Sequence, residues 1–194
     1  MPESTVTLAL QDGVARVTLA RPDVRNAFNA AVIRELHALF SQLSEDPTVR
    51  AVVLAGEGKV FCGGADINWM RASLDLSFEE NLADAERMSD MYRAIDNCSK
   101  PVIGRIHGAA LGGGAGLAAV CDIAIASSDA VFGFTEVKLG IIPAVISGQA
   151  ELAVFVNNVL TAPGVDIVGP FPPALQQELV FPAALAVDTA LGGV

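Results

Sequence analysis

The sequence predicts an α/β fold. Short β-branched or apolar runs alternate along the chain with longer segments whose apolar residues recur at helical spacing. Glycine-rich segments join two of the strand-like runs to helix-like ones, and an Asp12-Gly13 pair separates the first two runs. Such alternation is typical of proteins in which helices pack against a largely parallel sheet.

The first predicted elements are a β-hairpin, an amphipathic helix and a buried strand. Residues 6–10 and 14–19 are strand-like, and Asp12-Gly13 between them is a strong signal for a hairpin turn. Asn29 is a suitable N-cap for a helix over residues 30–43. The apolar stripe of that helix consists of Val32, Ile33, Leu36, Leu39, Phe40 and Leu43. The apolar run at residues 49–55 suits a buried strand.

The central part predicts a second long helix followed by two more strands. Ser77 is a suitable N-cap, and the apolar spacing continues through Leu82, Ala85, Met88, Met91, Tyr92 and Ile95. Pro101 cannot continue a helix, so residues 102–106 are predicted to return as a strand. Residues 117–120 suit a helix of small residues, and residues 123–126 suit another strand.

Composition narrows the classes of function. The chain has 194 residues, is 52% apolar and carries a net charge of -10, so non-specific nucleic-acid binding has no electrostatic basis. Cys62, Cys98 and Cys121 form an odd set without C-x-x-C spacing, which disfavours a disulfide framework and a zinc site. Without a signal-peptide pattern or an apolar run of membrane-spanning length, the expectation is a cytoplasmic protein that needs neither a membrane nor a metal.

Two glycine-flanked segments carry the clearest chemical signal. Residues 61–66 read Phe-Cys-Gly-Gly-Ala-Asp, and residues 107–114 read His-Gly-Ala-Ala-Leu-Gly-Gly-Gly. Glycine permits positive φ and close approach of the backbone to a ligand, and the first amides of a helix lack an internal partner. Two such turns can aim two N–H groups at one oxygen, which is an oxyanion hole. Each turn alone is equally consistent with phosphate binding or tight packing.

Taken together, the motifs resemble those of one enzyme family. The two glycine segments stand in order with Arg-Asn-Ala-Phe-Asn at residues 25–29, Cys-Asp-Ile-Ala-Ile-Ala at residues 121–126 and a longer match at residues 132–143. This arrangement resembles the enoyl-CoA hydratase/isomerase (crotonase) family over residues 6–147. The resemblance implies a spiral of β-β-α units, C-terminally truncated, with residues 1–147 as a partial crotonase domain. It also implies an acyl-CoA substrate and no cofactor beyond the coenzyme A of that substrate. Family members form trimers or dimers of trimers, but the half of the family's sequence that assembles them is expected to be missing here.

The resemblance assigns catalytic roles to Ala65, Gly113 and Glu136. The backbone N–H groups of Ala65 and Gly113 would bind the thioester oxygen, where enolate charge develops. Glu136 would be the acid/base next to the thioester, since a carboxylate that faces an apolar pocket has a raised pKa. The bare sequence favours a solvated Glu136 that pairs with Lys138, and the family resemblance reverses that preference.

Gly116 is a departure from the family pattern. Many hydratases of the family carry a second glutamate there, which glycine cannot replace. Three interpretations remain: a single-glutamate hydratase, a double-bond isomerase that needs one base, and an inactive paralogue. Residues 134–137 and 142–147 most resemble bacterial hydratases of the methylglutaconyl-CoA type, which lack that glutamate, and this favours the hydratase.

Substrate-binding positions also follow from the resemblance. They lie on the pantetheine and adenine path or beside the oxyanion amides: Arg25, Asn26, Ala27, Asp66, Ile67, Asn68 and Gly112. Arg25 and Arg71 either face CoA phosphates or are solvated surface charges.

The pattern changes from Gly148 onward. Residues 148–194 weakly resemble a segment of a molybdate-type solute-binding protein, and an unrelated apolar tail is the equal alternative. We expect a non-crotonase C-terminal segment that binds neither molybdate nor sulfate. A non-enzymatic crotonase scaffold is the competing function for the whole chain.

Overall fold

The computed structural model describes residues 4–133 and the short strand at residues 185–187. Its strands are β1 (Val6–Gln11), β2 (Val14–Leu19), β3 (Ala51–Gly56), β4 (Val102–Ile106), β5 (Ala109–Leu111), β6 (Ile123–Ser127), β7 (Val131–Gly133) and β8 (Leu185–Val187). Its α-helices are α1 (Ala30–Glu45), α2 (Ile67–Ala72), α3 (Phe78–Asp96) and α4 (Gly113–Ala119).

A hairpin and two capped helices form as predicted. β1 pairs with β2 in antiparallel register, and the turn between them has positive φ at Asp12 and Gly13, as a type I′ hairpin requires. The Asn29 side chain accepts hydrogen bonds from the first amides of α1. Ser77 and Glu80 form a reciprocal capping box at the start of α3. Local side-chain chemistry therefore fixes where these elements begin.

The larger sheet has the order β1-β2-β3-β4-β6-β8, and every pairing after the first is parallel. The α/β prediction is confirmed. Helix α1 packs against α3, and the predicted stripe of α1 is buried at Val32, Ile33, Leu36, Phe40 and Leu43. In α3 only Met91 and Ile95 are fully buried, so much of its predicted stripe lies at the edge of the core.

A second, smaller layer gives the fold its spiral repeat. β5 pairs in parallel with β7, and Cys62 forms a parallel bridge with Ala110 of β5. The chain passes twice from a strand of the large sheet to a short segment of the small layer and then to a helix. The first passage runs through β3, Cys62 and α2, and the second runs through β4, β5 and α4. This is the predicted succession of β-β-α units.

Candidate active site

The two glycine turns leave neighbouring parallel segments. Cys62 N–H donates to the Ala109 carbonyl at 3.1 Å, and Leu111 N–H donates to the Cys62 carbonyl at 2.9 Å. Cys62 is thereby the bridge partner of Ala110. Ala65 lies three residues after Cys62, and Gly113 lies three residues after Ala110. Because the two segments run parallel, both turns lie at the same edge of the small layer.

Close contact between the turns requires glycine at position 64. Gly64 has a φ of +94°, and a Cβ added to it would lie 2.8 Å from the Leu111 carbonyl oxygen and 3.6 Å from the Gly113 nitrogen. The first turn is held by Phe28, whose N–H donates to the Gly64 carbonyl and whose carbonyl accepts from Asp66 N–H, both at 2.9 Å. This pairing does not use the N–H of Ala65.

The Ala65 and Gly113 amides share a feature that suits ligand binding. Within residues 4–133, neither N–H donates a hydrogen bond, whereas the preceding Gly112 N–H donates to the Gly133 carbonyl at 2.7 Å. Both residues are half-buried, so a ligand can reach them. Two donors on turns that contact each other can bind one oxygen of a ligand.

Gly113 is enclosed by two aromatic residues. A Cβ added to it would overlap the Phe28 ring and lie 2.9 Å from the Tyr92 hydroxyl. That hydroxyl donates to the Gly113 carbonyl at 2.8 Å. Phe28 is itself buried, and its ring contacts Trp69 with centroids 6.5 Å apart. The second turn is therefore positioned by side chains from α3 and from the segment before α1.

A cleft of about 510 Å³ opens beside Ala65. It is lined by Ala65 and by five of the seven predicted substrate-binding residues, namely Arg25, Ala27, Asp66, Ile67 and Asn68, together with Arg71. Gly112 lies on the neighbouring turn, and Asn26 lies beneath the surface. The structure thus brings most of the predicted binding residues together on one concave surface.

Asn26 has a different environment from its neighbours. Its side chain is 1% exposed, accepts from Arg21 N–H at 3.0 Å, and donates to the carbonyls of Glu57 and Val60 at 2.7 and 2.9 Å. Arg25 and Asn26 both have positive φ, near 58° and 55°. The Asn26 backbone is also bonded, because its N–H donates to the Arg21 carbonyl at 2.8 Å and its carbonyl accepts from the Cys62 thiol at 3.3 Å. Asn26 therefore connects two loops and has a structural role.

Asp66 orders the helix that follows Ala65. Its carboxylate caps α2 by accepting from Asn68 N–H at 2.9 Å and forms an ion pair with Arg21 at 2.9 Å. Burial raises the pKa of this carboxyl, but the Arg21 guanidinium and the backbone N–H donors outweigh it and hold the pKa below its usual range. Arg21 also donates to the Ala27 carbonyl.

Three residues that shape this region were not identified from the sequence. Arg21 has its partner 45 positions away, so no local pattern singles it out. Phe28 belongs to the motif at residues 25–29, but that motif gives it no role of its own. Tyr92 fits the apolar stripe of α3, and this pattern gives no indication that its hydroxyl bonds the second turn. A Cβ at Gly116 would lie 3.1 Å from that hydroxyl, which shows how closely α3 approaches α4.

The Cys62 thiol is adjacent to the first turn but is buried, and burial raises its pKa to about 11. It therefore lacks the thiolate form that a nucleophile needs near neutral pH. Glu136 and residues 142–147 lie outside the described residues. In the part of the chain that the structure covers, no helix is both long and apolar enough to cross a bilayer, and no group of acidic, histidine and cysteine side chains suits a metal ion.

Known proteins of one family are similar to this chain. Residues 9–153 match the family model described as enoyl-CoA hydratase/isomerase. An enoyl-CoA hydratase of Alternaria alternata is 40% identical over 137 residues, which cover 71% of this chain and 44% of that protein. A mitochondrial Delta(3,5)-Delta(2,4)-dienoyl-CoA isomerase of Mus musculus is 37% identical over 150 residues, which cover 72% and 45%.

The structural comparison gives the same result. The crystal structure of an enoyl-CoA hydratase from Shewanella pealeana matches with a TM-score of 0.70 and 41% identity, over 74% of this chain and 54% of that one. The chain spans about half the length of the proteins it matches. Since the family model covers most of the chain and the spiral fold agrees, the chain belongs to the enoyl-CoA hydratase/isomerase family and has the crotonase fold.

Proposed function

We propose that this chain binds the thioester of an acyl-CoA between the Ala65 and Gly113 amides and adds water to an α,β-unsaturated acyl group. The observation that carries the proposal is that two N–H groups without a partner among the described residues lie on turns that contact each other. In this mechanism Glu136 takes a proton from the attacking water and returns a proton to the α-carbon.

The oxyanion donors supply the main electrostatic contribution. Attack of water at the β-carbon moves an electron pair toward the thioester oxygen, and the two amides stabilise the resulting enolate. Loss of one such donor costs about 2.7–4 kcal/mol in transition-state stabilisation in comparable sites. Because backbone amides need no reorganisation during the reaction, their fixed positions matter as much as their number.

The surroundings of Gly116 support a mechanism with one carboxylate. Glycine supplies no acid or base, and the Tyr92 hydroxyl lies 3.1 Å from where a Cβ at this position would stand. Together with the methylglutaconyl-type motifs at residues 134–137 and 142–147, this favours a short or branched enoyl-CoA as the substrate. Leucine or fatty-acid catabolism is the proposed metabolic setting.

The cleft beside Ala65 is the proposed path of coenzyme A. Arg25 and Arg71 contribute positive charge to its lining, Asp23 contributes one negative charge, and Asp66 is already paired with Arg21. The phosphates of CoA would therefore meet a lining with a small positive excess in a chain of net negative charge.

A double-bond isomerase is the second candidate. One base suffices for moving a double bond, and a dienoyl-CoA isomerase is among the relatives at 37% identity. A catalytically inactive scaffold that binds acyl-CoA without turnover is the remaining alternative.

Mass spectrometry separates these functions in a single assay. The purified chain is incubated with crotonyl-CoA, 3-methylglutaconyl-CoA and a 3-enoyl-CoA. A hydratase adds the mass of one water to a 2-enoyl-CoA, an isomerase shifts retention time without a mass change, and a scaffold leaves all three unchanged. We expect hydration, and Glu136→Gln is expected to lower kcat by about two orders of magnitude or more with little change in KM. Glu45→Gln at the exposed end of α1 is the matched control.

The boundary at residues 147/148 and the nature of the tail are also proposals. Apart from β8, residues 148–194 lie outside the described residues. We propose that this segment binds neither molybdate nor sulfate, and micromolar binding of either anion in calorimetry would overturn that. Trimeric assembly, as in the family, is tested by sedimentation of the purified chain.

A further inference from the structure

We propose that Tyr92 is a positioning residue that sets the direction of the Gly113 N–H. This inference rests on the proposed function, because it concerns the amide that binds the thioester oxygen. It assigns to α3 a part in the site that neither the sequence pattern nor the lining of the cleft reveals.

The turn that carries Gly113 has no side-chain cap and contains three consecutive glycines, Gly112 to Gly114. The Gly112 carbonyl, which belongs to the same peptide unit as the Gly113 N–H, accepts from the N–H groups of Ala115 and Gly116 at 2.9 and 3.3 Å. Glycine populates a wide range of φ and ψ, so the peptide units on either side of this one have little restraint of their own. Contacts with neighbouring elements therefore add to the preorganisation of the donor.

Two contacts from outside α4 add restraint at the neighbouring peptide units. The Gly112 N–H donates to the Gly133 carbonyl at 2.7 Å, which anchors the entry to the turn. On the other side the Tyr92 hydroxyl donates to the Gly113 carbonyl at 2.8 Å. The Gly113 N–H belongs to the Gly112–Gly113 peptide, and these two bonds restrain the peptide units before and after it. Together they limit rotation of the N–H that is proposed to bind substrate.

The Tyr92 hydroxyl packs closely against two glycines. An added Cβ would lie 2.9 Å from the Tyr92 oxygen at Gly113, where it would first overlap the Phe28 ring, and 3.1 Å from the oxygen at Gly116. Both positions face the same side of α4, because they are three residues apart. A side chain at Gly116 would therefore press on the hydroxyl that bonds the Gly113 carbonyl.

Tyr92→Phe removes the hydroxyl and retains the ring. We expect kcat for crotonyl-CoA to fall about tenfold, which is part of the loss that follows complete removal of an oxyanion donor, while KM changes less than twofold. Ser41→Ala is the matched control, because the Ser41 hydroxyl also donates to a backbone carbonyl at 2.8 Å, on α1 and outside the cleft. The control is expected to leave kcat and KM unchanged.

Gly116→Ala provides an independent perturbation of the same contact. Its methyl group presses on the Tyr92 hydroxyl, so kcat should fall, and the double variant Tyr92→Phe/Gly116→Ala should be no worse than the more impaired single variant. Additive losses would show that the two changes act separately, and they would overturn the proposal.

A measurement without substrate separates this inference from the proposed function. In ¹H–¹⁵N spectra of the ligand-free chain, Tyr92→Phe is expected to shift the Gly113 amide resonance and accelerate its hydrogen exchange, whereas Ser41→Ala is not. An unchanged Gly113 resonance, or equal kcat in Tyr92→Phe and wild type, overturns the positioning role. A wild-type chain that fails to turn over any acyl-CoA contradicts the proposed function alone, because the spectra still test Tyr92.

Discussion

Replacement of Asn26 separates a structural role from a role in substrate binding. The family resemblance places Asn26 on the coenzyme A path, whereas its side chain makes three hydrogen bonds to the backbone of two loops. At about 1 kcal/mol for each bond, loss of the amide costs about 3 kcal/mol in the free energy of unfolding. Alanine at a φ of 55° adds about 1–2 kcal/mol.

Asn26→Ala is therefore expected to lose about 4–5 kcal/mol of stability. In a chain of this size each kcal/mol corresponds to about 2–4 °C, so Tm should fall by about 8–20 °C. Asn26→Gly tolerates the positive φ and isolates the hydrogen-bond contribution of about 3 kcal/mol. The matched control Asn29→Ala removes only the N-cap of α1, at a cost of about 1 kcal/mol.

Thermal and urea unfolding measure these differences, and acyl-CoA titration of the folded variants measures binding. The structural interpretation predicts the stability order Asn29→Ala, Asn26→Gly, Asn26→Ala, from most to least stable, with acyl-CoA affinity little changed in the folded fraction. An Asn26→Ala variant that unfolds within 2 °C of wild type but binds acyl-CoA much more weakly would refute this reasoning.

Three further outcomes follow from the described residues. Gly64→Ala should lose about 1–3 kcal/mol of stability and weaken acyl-CoA binding, because its methyl group enters the space between the two turns. The control Gly13→Ala is also at positive φ, but it lies in the β1–β2 turn and should lose stability without weakening binding; equal affinity in the two variants would argue against the site. The pKa of the Asp66 carboxyl is lowered in the folded chain. Its contribution to stability is therefore complete above the unfolded-state pKa of about 4 and is lost as the pH falls through the folded-state pKa. The difference in stability between wild type and Asp66→Asn should close only in that acid range. Burial raises the pKa of Cys62 to about 11 and that of Cys121 to about 12. Both thiols should therefore resist alkylation at pH 8 until the chain unfolds. Rapid labelling of either thiol in the folded chain would contradict the packing.

Elements with a local chemical signal were predictable from the sequence. The Asp12-Gly13 turn, the Asn29 cap and the Ser77 cap each act within a few residues, and each is found where it was predicted. The strand at residues 102–106 also matches, since Pro101 sets its start. The two glycine turns lie next to each other in the structure. The sequence alone showed that each turn suits close approach of the backbone, but it did not show that the two turns contact each other.

Contacts across long sequence separations were not predictable. Arg21 binds Asp66 and Tyr92 binds Gly113 only because the fold brings distant segments together. The buried environment of Asn26 is of the same kind, because its partners lie on a separate loop. A hydropathy pattern describes which face of an element is buried, and it contains no information about which carbonyl a hydroxyl or amide will meet.

The central claim is that the Ala65 and Gly113 amides together bind a thioester oxygen. Titration of the ¹⁵N-labelled chain with butyryl-CoA, a saturated acyl-CoA that cannot react, tests it without dependence on turnover. Coenzyme A without an acyl group is the control, because it would occupy the proposed cleft but presents no thioester carbonyl. The account predicts that butyryl-CoA shifts both amide resonances downfield with one common Kd and that coenzyme A leaves them near their free positions. Binding of butyryl-CoA that leaves either amide unshifted would contradict it.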